Sequence, residues 1–122
     1  MAEGRRRYIW QRAAQRVSLA LPVRWGADES CLHRGLLTSL SAMGALIEGP
    51  VAVLPHASLY LLLPDGAGGH LLIVGEAVYF VEGAGVAIQF IELSEERRAA
   101  LIKVVEYHRS AATDREAHDV PP

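Results

Sequence analysis

Between residues 17 and 90, apolar residues recur at every second position in short runs, and glycine or proline cuts each run off. A period of two places one row of side chains on each face of a strand, so each run reads as a half-buried β-strand. The clearest run is residues 17–25. Val17, Leu19, Leu21, Val23 and Trp25 face one way, and Ser18, Ala20, Pro22 and Arg24 face the other. Pro22 cannot donate to a ladder, which suits an edge or a bulge. Gly26-Ala27-Asp28-Glu29-Ser30 then reads as a hairpin turn.

Five further strands follow on the same logic. The second spans Cys31 to Leu37, and the third follows Gly44 through Ala45-Leu46-Ile47 until Glu48-Gly49-Pro50 breaks it. Residues 51–57 read as a connection. Leu59–Leu63 is the fourth strand and Pro64–Gly69 a turn. His70–Val81 is a long fifth strand, apolar on both sides, for which both faces are expected to be covered. Val86, Ile88 and Phe90 alternate in a sixth. From Ser94 the period changes. Ser94 suits a helix N-cap, with Glu95 and Glu96 at the positive end of the dipole. Leu101, Val104, Val105 and His108 follow the spacing of one apolar helix face. The helix is expected to reach about Arg109, leaving 111–122 as a polar, flexible tail.

Six strands and one helix predict a mainly β fold: a six-stranded antiparallel barrel with a C-terminal α-helix plugging one end. At 122 residues the chain forms one domain. The expected division is a basic arm over 1–10, the barrel and helix over 11–110, and the tail over 111–122.

Composition narrows the function. A net charge of -2 argues against a whole-surface grip on nucleic acid. The positive charge is local: residues 1–16 hold Arg5, Arg6, Arg7, Arg12 and Arg16 against Glu3. Cys31 is the sole cysteine, which excludes an internal disulfide. No apolar run has the length of a membrane helix, and Met1-Ala2-Glu3-Gly4 lacks a signal-like apolar stretch, so a cytoplasmic location is expected. The five histidines show no metal-ligand spacing, and no nucleophile–base set stands out. No metal, cofactor or catalytic residue is expected.

Two motifs suggest a ligand instead. Arg12 and Arg16 are four apart, so in extended chain they share a side at a separation of about 13 Å. Guanidinium forks match phosphate oxygens and the O6/N7 edge of guanine, and their planes stack on purines. Ser39-x-Ser41-x-x-Gly44 offers short hydroxyls for a turn, and Gly44 permits positive φ or a close backbone approach. Each motif alone is weak.

Together, separated by the first strand, they resemble the opening of a PilZ domain. The family's R-x-x-x-R is matched at Arg12 and Arg16. Its (D/N)-x-S-x-x-G is matched at Ser41 and Gly44 but carries Ser39 in the first slot. Val17–Val23 resembles the strand after the arginines, and Gly85–Phe90 the strand before the final helix. The resemblance spans roughly residues 11–108. It implies a Greek-key barrel, cyclic di-GMP as ligand, and Arg12, Arg16, Ser39, Ser41 and Gly44 as its contacts. The family often carries another arginine just before the pair, where Gln11 stands here. Arg5, Arg6 and Arg7 are possible arm contacts.

Ser39 is the departure that counts. A serine cannot present a bidentate carboxylate to guanine, and losing one charged hydrogen bond costs on the order of 1.5–3 kcal/mol, or a ten- to hundredfold loss of affinity. Two outcomes follow from the resemblance. The chain binds cyclic di-GMP and relays it to a protein partner, or it is a degenerate domain that works through protein contacts alone. A third reading, a weak RNA or single-stranded DNA binder using the basic arm, needs exposed aromatics among basic residues. With 7% aromatics and few cations on the central strands, it ranks last.

Overall fold

The computed structural model describes residues 15–49, 56–81 and 85–119, with side chains to residue 112 in the last stretch. Among the described residues are six strands and a helix: β1 (Val17–Gly26), β2 (His33–Leu40), β3 (Gly44–Glu48), β4 (Ser58–Pro64), β5 (His70–Val81), β6 (Gly85–Phe90) and α1 (Glu95–Asp119). The strands close into an antiparallel barrel in the order β1-β2-β3-β6-β5-β4. Closure removes the open edges that a flat sheet of these short strands would expose. The expected fold class is the one observed.

The alternation in β1 works as anticipated. Val17, Val23 and Trp25 are buried, Leu19 and Leu21 of the same row are half-buried against the core, and Ser18, Ala20, Pro22 and Arg24 are exposed. Pro22 pairs with Leu36 on one side. On the other side β1 meets β4 only from Arg24 to Gly26, so Pro22 sits where no second ladder needs its missing N–H.

The inward rows form one core with the helix. Leu37, Ile47, Leu61, Leu63 and Ile73 from the barrel pack with Leu101, Val104 and Val105 of α1. The spacing that predicted the helix face therefore closes one end of the barrel. His108, on the same face, is buried, and its Nε2 donates to the Pro64 carbonyl at 2.8 Å. Ser94 caps the helix: its Oγ accepts from the Arg97 amide at 3.1 Å.

Four local expectations are corrected. Cys31 lies in the β1–β2 loop with a φ of 47°, and β2 starts at His33 rather than Cys31. At its other end β2 continues to Leu40, so Ser39 is a strand residue rather than part of a turn. The end of β5 is not covered on both faces: Val78, Tyr79 and Phe80 are exposed in succession. The helix runs to Asp119, past Arg109, because no glycine or proline interrupts the chain between Ser94 and Pro121. Residues 1–14, and with them the arm, lie outside the described residues.

Two predictions follow from this packing. Leu101→Ala, at a fully buried position, should cost about 2–5 kcal/mol in urea unfolding, with little change in far-UV circular dichroism. Asp28 and Asp65 supply a second test. Hydrogen bonds from the Ser30 hydroxyl and amide lower the pKa of Asp28 below its usual 3.8, and the Ala67 and Gly69 amides do the same for Asp65. A lowered folded pKa stabilises above the unfolded value and loses that contribution as pH falls through the folded one. Thermal stability should therefore fall on acidification below about pH 4. In the Asp28→Asn/Asp65→Asn double variant the same acid limb should be shallower.

Candidate functional site

Antiparallel pairing sets the start of β1 beside the end of β2. Val17 faces Leu40 and Ser18 faces Ser39. Arg16, one residue before the strand, consequently reaches the second motif, and its Nη1 donates to Ser39 Oγ at 3.1 Å. Both groups are at the surface, and the serine carries no charge to hold the guanidinium.

Ser41 has a different task. It is buried, and its Oγ accepts from the amides of Met43 at 3.0 Å and Gly44 at 3.3 Å. Its own amide donates to the Gly44 carbonyl at 2.9 Å. Ser41 therefore builds the tight β2–β3 turn instead of aiming a hydroxyl outward. Gly44 is required by proximity, not by positive φ. A Cβ there would overlap the Ile88 carbonyl oxygen of β6. Phe90 of β6 also donates its amide to the Met43 carbonyl at 3.0 Å, which pins the turn against that strand.

These elements border a shallow depression of about 210 Å³ on the outside of the barrel. Arg16, Ser41, Met43, Gly44, Val78 and Tyr79 line it. Ser39 enters through its bond to Arg16. Arg12, Arg5, Arg6 and Arg7 lie outside the described residues. The structure thus brings four of the five expected contacts together: Arg16, Ser39, Ser41 and Gly44.

The backbone around the depression is irregular in a patterned way. One rung crosses five strands: Ser18, Ser39, Leu46, Ala87 and Tyr79 are successive partners. Three strands carry an extra residue against a neighbour, at 19–20 in β1, at Thr38 in β2 and at Val78 in β5. All three adjoin this rung. Bulges concentrate at barrel rims and beside binding sites, where they re-aim side chains. Here the Val78 bulge turns Val78 and Tyr79 toward the depression, across the small side chain of Ala87.

Met43, Val78 and Tyr79 were not among the residues the sequence singled out. The apolar pattern of residues 70–81 hid Val78 and Tyr79, since it suggested cover on both faces, and Met43 fills an unspecified slot of the second motif. Arg109 is another. Its Nη2 donates to the Gln15 carbonyl at 3.0 Å and ties α1 to the segment entering Arg16. A larger depression, about 330 Å³, lies toward the other end of β1 between Arg24, Arg34 and His70. Arg16, Ser39, Ser41 and Gly44 do not line it, and these residues argue for the smaller depression as the site. Among the described residues, no three His, Cys, Asp or Glu side chains gather as a metal site. No described helix is long and apolar enough to cross a membrane.

No family model matches the sequence, and no curated protein matches it. Solved structures do. The PilZ domain with c-di-GMP of YcgR from Escherichia coli superposes with a TM-score of 0.64 at 16% identity, covering 87% of this chain and 96% of that one. The PilZ domain of CeSA from a cellulose-synthesizing bacterium gives 0.58 at 19% identity, covering 76% and 96%. The chain has the PilZ fold. The Bacillus subtilis inhibitor of motility MotI/DgrA gives 0.56 at 16%, covering 86% of this chain but 50% of the other. This chain therefore matches nearly the whole of an isolated PilZ domain and half of the longer protein.

The glycine makes a sharp test of the PilZ-like rim. Gly44→Ala should force β3 from β6 and lower stability by about 1–3 kcal/mol in urea unfolding. Ala42→Gly, two residues away in the same turn, should shift the Phe90 amide, which donates to the Met43 carbonyl, less than Gly44→Ala does in a proton–nitrogen correlation spectrum.

Proposed function

We propose that this chain is a non-enzymatic bacterial signalling module of the cytoplasm that binds cyclic di-GMP and relays the event to a protein partner. The observation that carries the reading is the Arg16–Ser39 contact beside the Ser41–Gly44 turn. It gathers a phosphate-matching cation and a backbone turn onto one rim, on a fold shared with a domain solved with c-di-GMP. Arg16 is the charged grip, with Arg12 as its expected companion from the arm. Ser41 and Gly44 shape the surface. Ser39 offers Arg16 only an uncharged acceptor, which a phosphate readily displaces because its anionic oxygens can take the guanidinium fork in pairs.

The second reading is a barrel that no longer binds the nucleotide and acts through protein contacts. Ser39 favours it, since a hydroxyl cannot read guanine as a carboxylate does. Calorimetric titration with cyclic di-GMP separates the two. The binding reading expects heat in wild type, none in Arg12→Ala or Arg16→Ala, and affinity about ten- to hundredfold tighter in Ser39→Asp. Binding in Ser39→Asp alone would favour the interaction module. Silence in both wild type and Ser39→Asp would remove the nucleotide.

A further inference from the structure

We infer that Tyr79 is the platform on which a purine base of the ligand stacks, an inference that rests on the nucleotide-binding reading above. The argument begins with exposed apolar surface. Met43 is 48% exposed, Val78 45% and Tyr79 53%, and all three line the depression that Arg16 also borders. Large apolar side chains left open side by side in a concavity mark a binding surface.

The backbone is built to present them. The extra residue at Val78 interrupts the pairing of β5 with β6, so that Ala77 faces Ile88 while Tyr79 faces Ala87. Without that bulge β5 would keep its alternation, and neighbouring side chains would point to opposite faces. Ala87, directly across from Tyr79, is too small to cover the ring. Among the described residues, the ring pairs are Trp25 with His33 and Tyr107 with His108, so the face of Tyr79 is not taken by another ring.

The chemistry at position 39 gives the platform its purpose. Ser39 removes the carboxylate that would read the Watson–Crick edge of guanine. A base held by its face needs no such partner. Stacking on an aromatic side chain is worth about 1–3 kcal/mol per base, comparable to the charged hydrogen bond the serine cannot make. Tyr79 on one wall and the Arg16 guanidinium on another supply a π-face and a cation to one purine phosphate unit. Tyr79 is thus a specificity-setting contact of the site, and recognition leans on the base's face and phosphate.

Titration of cyclic di-GMP into wild type, Tyr79→Ala and Tyr79→Phe tests this, with Arg16→Ala as the control for the site itself. Tyr79→Ala should weaken binding about 5- to 150-fold, while Tyr79→Phe retains wild-type affinity. Because the side chain is more than half exposed, both variants should melt like wild type. If wild type is silent, the same series is run in the Ser39→Asp background. A Tyr79→Trp variant adds a direct readout: stacking should quench its added indole emission at the midpoint seen by calorimetry. Unchanged affinity in Tyr79→Ala, with Arg16→Ala still abolishing binding, would overturn the platform and leave the nucleotide reading standing. Silence in every background would overturn both.

Discussion

The antiparallel register of β1 on β2 is the constraint on which the candidate site depends. With Val17 opposite Leu40, the residue entering β1 and the residues leaving β2 must share one end of the barrel. Side chains with a period of two make that register costly to change. A slip of one residue would turn Val17, Val23 and Trp25 out of the core and bring Ser18 and Arg24 into it. The hydrophobic effect thus positions a polar contact: burial of alternate β1 residues sets Arg16 within reach of Ser39. The site needs no special force of its own to assemble. It inherits its geometry from the core.

Closure of the barrel extends that constraint to residues far apart in sequence. β3 joins β6, and β6 joins β5, so a rung beginning at Ser18 ends at Tyr79. Gly44 allows the β3–β6 approach, because a side chain there would meet the Ile88 carbonyl. Gly85 does the same at the other end of β6, with a φ of 134° and the Ile47 carbonyl against it. Three bulges beside one rung then locally relax the strict alternation that the rest of the barrel obeys. The regular part of the sheet carries stability, and the irregular part carries the exposed side chains.

Period explains what was legible in the sequence. Strand existence, the helix face at Leu101, Val104, Val105 and His108, and the Ser94 cap all leave marks in residue type and spacing. So do Arg16, Ser39, Ser41 and Gly44, although it took the resemblance of two motifs across a strand to connect them. A bulge leaves no such mark. Thr38 and Val78 are ordinary strand formers, and nothing in their neighbours announces an extra residue. Ser39 reads from sequence as turn because its motif is short and polar, and Tyr79 reads as covered rather than open because the apolar run gives no sign of the bulge. Cys31 is similar: a positive φ at a non-glycine residue follows from the loop closing onto Asp28, whose carbonyl accepts from the Cys31 amide at 3.3 Å.

The serine at position 39 also changes the energetics of the free protein. An exposed arginine that donates to a neutral hydroxyl gains little from that hydrogen bond, because water can take the hydroxyl's place. The bond holds the guanidinium at the rim without neutralising it. A carboxylate in the same place would both pair with Arg16 and compete with an incoming phosphate for it, although an exposed ion pair is itself worth only about 0–1 kcal/mol. On the proposed reading, Ser39 gives up one contact to a base and leaves the cation without a competing carboxylate. On that reading, affinity comes mostly from charge and from the apolar face next to the cation. In this barrel, Met43, Val78 and Tyr79 are the side chains that occupy that position.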